Sequence, residues 1–182
     1  MSNNADVSLS LINETGDVLA FSTLLRRSDQ RMRSLAYRLV GDRVAMDDVL
    51  QTAYLKAYRS QNTFRGDAAF ETWLYSIVYR TCVDYIRSRT RRPTSPLTDD
   101  VVQPRSDPVS SAADRLTIAD ALKELPLDQR AAVWLVDGEG HTFAQAAEIL
   151  DERPGTVASR VSRGRSTLRT LLGTPHEEEA SK

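Results

Sequence analysis

Arg153, Arg160, Arg163, Arg165 and Arg169 stand within residues 153 to 169, a stretch with no aspartate or glutamate. A guanidinium is a planar fork of donors that fits a phosphate or the O6 and N7 edge of guanine, so this cluster is chemistry for nucleic acid. Thr156, Ser159, Ser162 and Ser166 add hydroxyls that bond bases or phosphates. At helical spacing Val157, Val161, Gly164 and Leu168 share a face that must pack, while Ser159, Ser162, Arg163 and Ser166 point away from it. Thr156, Arg160, Arg165 and Arg169 occupy the flanks. A solvated basic helix would have the same composition, but the residues upstream weigh against it. Thr142 and Gln145 have capping-box form at the start of a short apolar pattern ending at Leu150, and only Asp151 and Glu152 separate it from the arginine helix. That is the layout of a helix-turn-helix, and aspartate tolerates the left-handed turn it needs.

A second basic surface lies upstream. Over residues 69 to 90 the pattern predicts a helix that buries Phe70, Trp73, Leu74, Ile77, Val78, Thr81 and Tyr85. At 100° per residue, Arg80, Asp84, Arg87 and Arg91 fall within about 40° of one another on a different face. The formal charge of the whole chain is only -1, but residues 1 to 92 are net basic and residues 93 to 115 net acidic. The near-neutral total hides two basic surfaces.

The elements that must carry these surfaces are helical, and no segment alternates as a strand does. Phe21, Leu24, Leu25, Met32, Leu35, Ala36 and Leu39 form one apolar stripe, which Gly41 is placed to end. A helix over about 44 to 60 buries Met46, Val49, Leu50, Ala53 and Ala57 and leaves Asp47, Asp48, Gln51, Thr52, Lys56 and Arg59 outside. Four of the seven prolines fall between Pro93 and Pro108, where the composition turns to Pro, Ser, Thr and Asp and reads as a mobile tether. The expected fold is therefore all-α, with two small helical domains joined by a flexible linker. Residues 1–16 form an N-terminal extension, 17–92 the first domain, 93–114 the linker, 115–173 the second domain and 174–182 an acidic tail.

Cys82 is the single cysteine, which excludes an internal disulfide and a cysteine-based zinc cluster; it sits beside an apolar stripe and reads as a packing residue. His141 and His176 are too few and too separated for a metal site. No HExxH, P-loop or GxSxG motif is present, so the chain is expected not to be an enzyme and to need no cofactor. Without an apolar run near the ~18 residues of a membrane span or a leader-like start, it is expected to be cytoplasmic, with no membrane insertion.

Five segments in order resemble one family, the extracytoplasmic-function (group 4) sigma factors of bacterial RNA polymerase. Leu39-Val-Gly-Asp42 with Ala45-Met-Asp-Asp-Val-Leu-Gln51 is similar to the family's region 2.2. Phe64-Arg-Gly-Asp-Ala-Ala-Phe-Glu-Thr-Trp-Leu74 with Asp84-Tyr-Ile-Arg87 resembles regions 2.3 and 2.4. Leu125-Pro-Leu-Asp-Gln-Arg130 and Gly155-Thr-Val-Ala-Ser-Arg160 resemble region 4. The resemblance implies that Asp47, Asp48 and Gln51 dock on the beta-prime clamp helices of core RNA polymerase. It implies that Asn62, Arg65, Gly66, Asp67, Arg80, Arg87 and Arg91 engage the minus-10 element. Region 4 would touch the beta flap and read the minus-35 element through Thr156, Ser159, Arg160, Arg163, Arg165 and Arg169. An anti-sigma factor is a further implied partner, and the free chain is expected to be monomeric.

Some positions depart from the family pattern. Tyr79-Arg80 stands where Arg-Asn is common, Thr52 where an acidic residue often follows the region 2.2 glutamine, and Ala158 where lysine is common. Asp151 and Glu152 replace the usual turn glycine and the apolar residue after it. The competing reading is a stand-alone helix-turn-helix regulator, which would require a dimer and palindromic half-sites; neither a coiled coil nor a ligand-pocket signature is evident.

Overall fold

The computed structural model describes residues 18–61, 64, 69–91 and 117–173, with side chains from Phe21 onward. The N-terminal extension, the tether, the tail and the candidate residues Asn62, Arg65, Gly66 and Asp67 lie outside the described residues. Seven α-helices and one π-helical turn make up the described part, and no strand occurs among those residues.

Three long helices form the first lobe: α1 (Val18–Val40), α2 (Arg43–Ser60) and α3 (Phe70–Arg91). The stripe read from the sequence is the buried face of α1, with Met32, Leu35 and Ala36 fully enclosed. Gly41 ends this helix at φ +81°, a conformation that side chains disfavour, and its N–H donates to the Tyr37 carbonyl at 2.8 Å. Immediately afterwards Asp42 caps α2 by accepting from the Ala45 N–H at 2.7 Å. A single glycine and a single aspartate thus reverse the chain and start the next helix. Phe21, Phe64, Phe70 and Trp73 then close one end of the bundle, with ring centroids 5.2 to 6.0 Å apart.

The second lobe begins with α4 (Ile118–Lys123) and α5 (Leu127–Val133), which runs on as the π-helical turn Trp134–Gly138. The helix pair α6 (Phe143–Leu150) and α7 (Pro154–Leu172) follows. Val157 and Val161 of α7 are buried, as is Gly164, while Leu168 is half-buried against Leu122 and Leu125.

The two lobes pack on each other. One hydrophobic cluster runs from Phe21 to Val161, α3 lies against α6, and α1 touches α4, α5 and the π turn. This explains where α3 departs from the predicted stripe. Trp73, Ile77 and Tyr85 are half-buried, whereas Thr72, Tyr75 and Cys82, outside that stripe, are buried. A helix covered by α1 and α2 on one side and by α6 on the other buries more than one stripe. Cys82 is fully enclosed, and burial pushes its thiol up to about 12, so it packs rather than reacts.

At Gly164 α7 packs tightly on α5, because a Cβ there would lie 2.6 Å from Val133 Cγ2. Overpacking of this kind costs about 1–3 kcal/mol, against a helix-propensity gain of about 1 kcal/mol for replacing glycine. Gly164→Ala is expected to lose up to about 2 kcal/mol in urea denaturation, and Gly164→Ala with Val133→Ala to fit the new methyl without the clash. A Gly164→Ala protein about 1 kcal/mol more stable than the parent, the full helix-propensity gain, would contradict the helix contact described.

Candidate nucleic-acid interface

The second lobe holds its arginine helix on a rigid, fully capped support. Thr142 Oγ1 accepts from the Gln145 N–H at 3.2 Å, and Gln145 Oε1 accepts from the Thr142 N–H at 2.9 Å. Asp151 takes the left-handed conformation, φ 58° and ψ 48°, and its N–H meets the last carbonyls of α6. Pro154 then opens α7 at its first position, where no donor is missed.

The arginines of α7 are not equivalent. Arg163 is exposed on the outer face and donates weakly to Ser159 Oγ at 3.4 Å. Ser162 and Ser166 are exposed beside it, and Arg169 is exposed one turn beyond. Ser159 and Thr156 are half-buried, with the Ser159 hydroxyl bonded to the Thr156 carbonyl at 2.8 Å. Arg165 forks onto both oxygens of Asp137 at 2.6 and 3.0 Å, which raises its pKa. Arg160 is tucked in, its side chain only 20% exposed, between Asp128 and Glu152 at 3.0 Å each. The sequence spacing gave these arginines one composition; the fold leaves Arg163 and Arg169 without an acidic partner among the described residues and neutralises Arg160 and Arg165 locally.

On the first lobe, Arg80, Arg87 and Arg91 are all exposed on α3. Arg80 pairs with Asp151 of the other lobe at 3.3 Å, while Asp84, between the arginines, pairs with Lys56 at 3.5 Å. Arg87 and Arg91 have no acidic partner among the described residues. Asp47, Asp48 and Gln51 are exposed on α2, and Asp47 accepts from Arg33 at 2.6 Å. Arg33 also holds Asp29 at 2.8 Å, and these two carboxylates raise its pKa, with the Asp47 bond the larger cause. This face of α2 therefore carries a fixed acid, Asp47, beside Asp48, which has no basic partner among the described residues.

The pattern of sigma-70 region 2 matches residues 24–92 and that of sigma-70 region 4 matches residues 115–168. The chain is 38% identical to the ECF RNA polymerase sigma factor SigM of Mycobacterium tuberculosis over 93% of its own length and 85% of that protein. The chain belongs to the extracytoplasmic-function sigma factors. It is likewise 35% identical to the ECF RNA polymerase sigma-E factors of Haemophilus influenzae, over 87% of this chain and 90% of that one, and of Escherichia coli K12, over 85% and 87%. Among solved structures it resembles the sigma factor RpoE in complex with the anti-sigma factor NepR from Bartonella quintana, with a TM-score of 0.68 and 28% identity over 87% of this chain and all of that one. CnrH, solved in complex with the cytosolic domain of CnrY, shares the fold with a TM-score of 0.69 at 22% identity over 95% of this chain and all of that one. This sigma factor is thus an alternative sigma factor that directs transcription by RNA polymerase. Among its described residues, no helix is long and apolar enough to cross a membrane.

Sequence reasoning missed the contacts that join the sigma factor's two lobes. The Tyr75 hydroxyl donates to Glu139 at 3.1 Å, and its ring meets His141 edge-on with centroids 4.8 Å apart. Burial and the Glu139 carboxylate push the Tyr75 phenol far up, so it stays a donor. Arg38 lies 4.8 Å from the centre of the Trp134 ring. Tyr79 is half-buried near Arg160, Asp128 and Glu152, and burial raises its pKa. The π turn sets up much of this side of the seam, since its wide bonds from Glu139 to Trp134 and from His141 to Leu135, each 2.9 Å, carry both residues toward Tyr75.

Burial lowers the His141 pKa from its ordinary 6.5, with Glu71 and Glu139 pulling it up and Arg31 pushing it down. An unfolded chain takes up this proton as pH falls through 6.5 while the folded chain resists it, so stability present above that value is lost as pH drops toward the lowered one. The thermal midpoint is expected to fall between pH 7 and pH 5.5, and to fall less in His141→Phe. An equal fall in both proteins would remove His141 as the cause.

Proposed function

We propose that this sigma factor binds core RNA polymerase through Asp47, Asp48 and Gln51 on the beta-prime clamp helices and through its second lobe on the beta flap. The first lobe, residues 17 to 92, reads the minus-10 element with Arg80, Arg87 and Arg91 and with loop residues Asn62, Arg65, Gly66 and Asp67. Drawing a base from the stack costs a few kcal/mol, which phosphate-binding arginines around a pocket offset. The second lobe, residues 115 to 173, reads the minus-35 element with α7. Arg163 and the hydroxyls of Ser159 and Thr156 face base edges; Arg169 takes phosphates, and Arg165 does so only where a phosphate displaces Asp137; Arg160 braces the helix from inside. The chain is a specificity subunit and not itself an enzyme, and it acts in the cytoplasm.

The observation that carries this reading is one arginine-bearing helix on each of two lobes, matched in order to sigma regions 2 and 4. An anti-sigma factor is a further partner, supported by the likeness to RpoE, whose solved form is a complex with the anti-sigma factor NepR.

Run-off transcription with core polymerase on fragments of the native genome tests the function. The sigma factor alone is expected to bind little promoter DNA, and with core it should start transcripts at discrete sites. Arg163→Ala should weaken promoter binding by the assembled polymerase by about 1–3 kcal/mol, as loss of a base-reading arginine does. Core binding, followed by co-elution, should not change. Absence of any discrete transcript would overturn the reading, and tight duplex binding by a dimer without polymerase would replace it with a stand-alone regulator.

A further inference from the structure

Four polar side chains alternate between the first two helices at the edge of the α2 face to which core docking is assigned. Tyr54 of α2 donates to Asp29 Oδ1 of α1 at 2.8 Å, and Asp29 Oδ2 accepts from Arg33 Nε at 2.8 Å. Arg33 Nη1 then reaches back to α2 and donates to Asp47 Oδ1 at 2.6 Å. Tyr54 is half-buried, and burial together with its bond to Asp29 raises its pKa, so it remains a donor. Asp47 and Tyr54 are seven residues apart, which places them within about 20° of each other around α2 and about 10 Å apart along it. The bonds therefore pin nearly two turns of α2 against α1.

Stability alone does not account for this network. The side chains of Arg33 and Asp47 are 46% and 59% exposed, and ion pairs so open to water add little to folding. Met32, Leu35, Val49 and Ala53 already join α1 and α2 in the common core. What the network fixes is direction. An aspartate alone on an exposed helix face turns among its rotamers, and a partner must arrest it on binding. Here the planar fork of Arg33, itself held by Asp29, arrests Asp47 beforehand. Oδ1 of Asp47 is taken up, and Oδ2 has no bonded partner among the described residues. Gln51 falls about 40° and Asp48 about 100° round α2 from Asp47, both on the side away from Tyr54.

We infer that Arg33 is a positioning residue for the contact with core RNA polymerase. From α1 it fixes the carboxylate of Asp47, so that Asp47, Asp48 and Gln51 meet the polymerase as one preformed surface. The inference rests on the docking role proposed for those three residues. Its sign is opposite to that of charge alone, because Arg33 is a cation at the border of an acidic face. If the face bound by net charge, removing Arg33 would strengthen the contact; because Arg33 orients Asp47, its removal weakens it.

Biolayer interferometry of the full chain on core polymerase tests this, with Arg33→Gln, Arg33→Lys, Asp47→Ala, Arg33→Gln/Asp47→Ala and Arg31→Gln beside the parent. Circular dichroism through a urea titration fixes conditions in which every variant is folded. Arg33→Gln should weaken binding about two- to fivefold, within the range of an exposed ion pair. Arg33→Lys keeps the charge without the planar fork and should restore only part of the loss. In the Asp47→Ala background Arg33→Gln should have no further effect, a non-additivity that general loosening of the bundle does not produce. Arg31→Gln removes the same charge from α1, where it pairs with Glu71 of α3, and should leave the affinity unchanged. Arg33→Gln binding as tightly as the parent, or more tightly, would overturn the positioning role. So would an equal loss with and without Asp47. If Asp47→Ala, Asp48→Ala and Gln51→Ala combined in one chain leave core affinity unchanged, the docking role of this α2 face fails, and the positioning role with it.

Discussion

The arrangement of the two lobes depends on the guanidinium of Arg130. It is half-buried with no carboxylate bonded to it among the described residues, and burial lowers its pKa, with Glu124 acting in the other direction. Carbonyls at the ends of helices take the carboxylate's place. Arg38 and Leu39 offer theirs from the last turn of α1, and Lys123 and Leu125 offer theirs from the end of α4 and the segment after it. The C-terminal end of a helix carries partial negative charge, so one cation fastened to two such ends ties α1 of the first lobe to α4 of the second. Bonds to a charged donor are worth about 1.5–3 kcal/mol each, and their geometry fixes how α5 leaves the seam. On the same side of the seam Trp134 lies under Arg38, and Glu139 and His141 approach Tyr75.

Charge across the molecule is organised by the same principle of local neutralisation. Several cations that the composition would assign to nucleic acid are held by the protein's own acids: Arg160 by Asp128 and Glu152, Arg165 by Asp137, Arg80 by Asp151 and Arg33 by Asp29 and Asp47. Arg87, Arg91, Arg163 and Arg169 remain exposed without acidic partners among the described residues. A near-neutral chain that displays a few unpaired arginines on two helices is suited to weak, steered contact with DNA, with specificity coming from placement. Long-range attraction for any duplex would demand a much larger net charge.

Much of the fold was legible because it rests on local rules. The α1 stripe, Gly41 at its end, the capping box at Thr142 and Gln145, the left-handed Asp151 and the packed face Val157, Val161 and Gly164 are all decided by residues within a turn or two of one another. The π turn was not legible. Trp134 at its start packs against the hydrophobic clusters and under Arg38, far away in the chain, and no local pattern shows those neighbours. Likewise Tyr75 lies off the predicted stripe of α3, and only the presence of α6 gives it a reason to be buried.

The residue sequence by itself determined the helices, their caps, the two arginine-rich helices and their order along the chain, because helical periodicity and capping chemistry act between near neighbours. It also carried the family resemblance, since that lies in short motifs. Tertiary structure alone decided which arginines are available, that Arg160 braces its helix while Arg163 faces outward, and that Arg80 meets Asp151 across the seam. Ion pairs and buried bonds between residues seventy positions apart depend on how whole helices pack, and no local pattern encodes that distance.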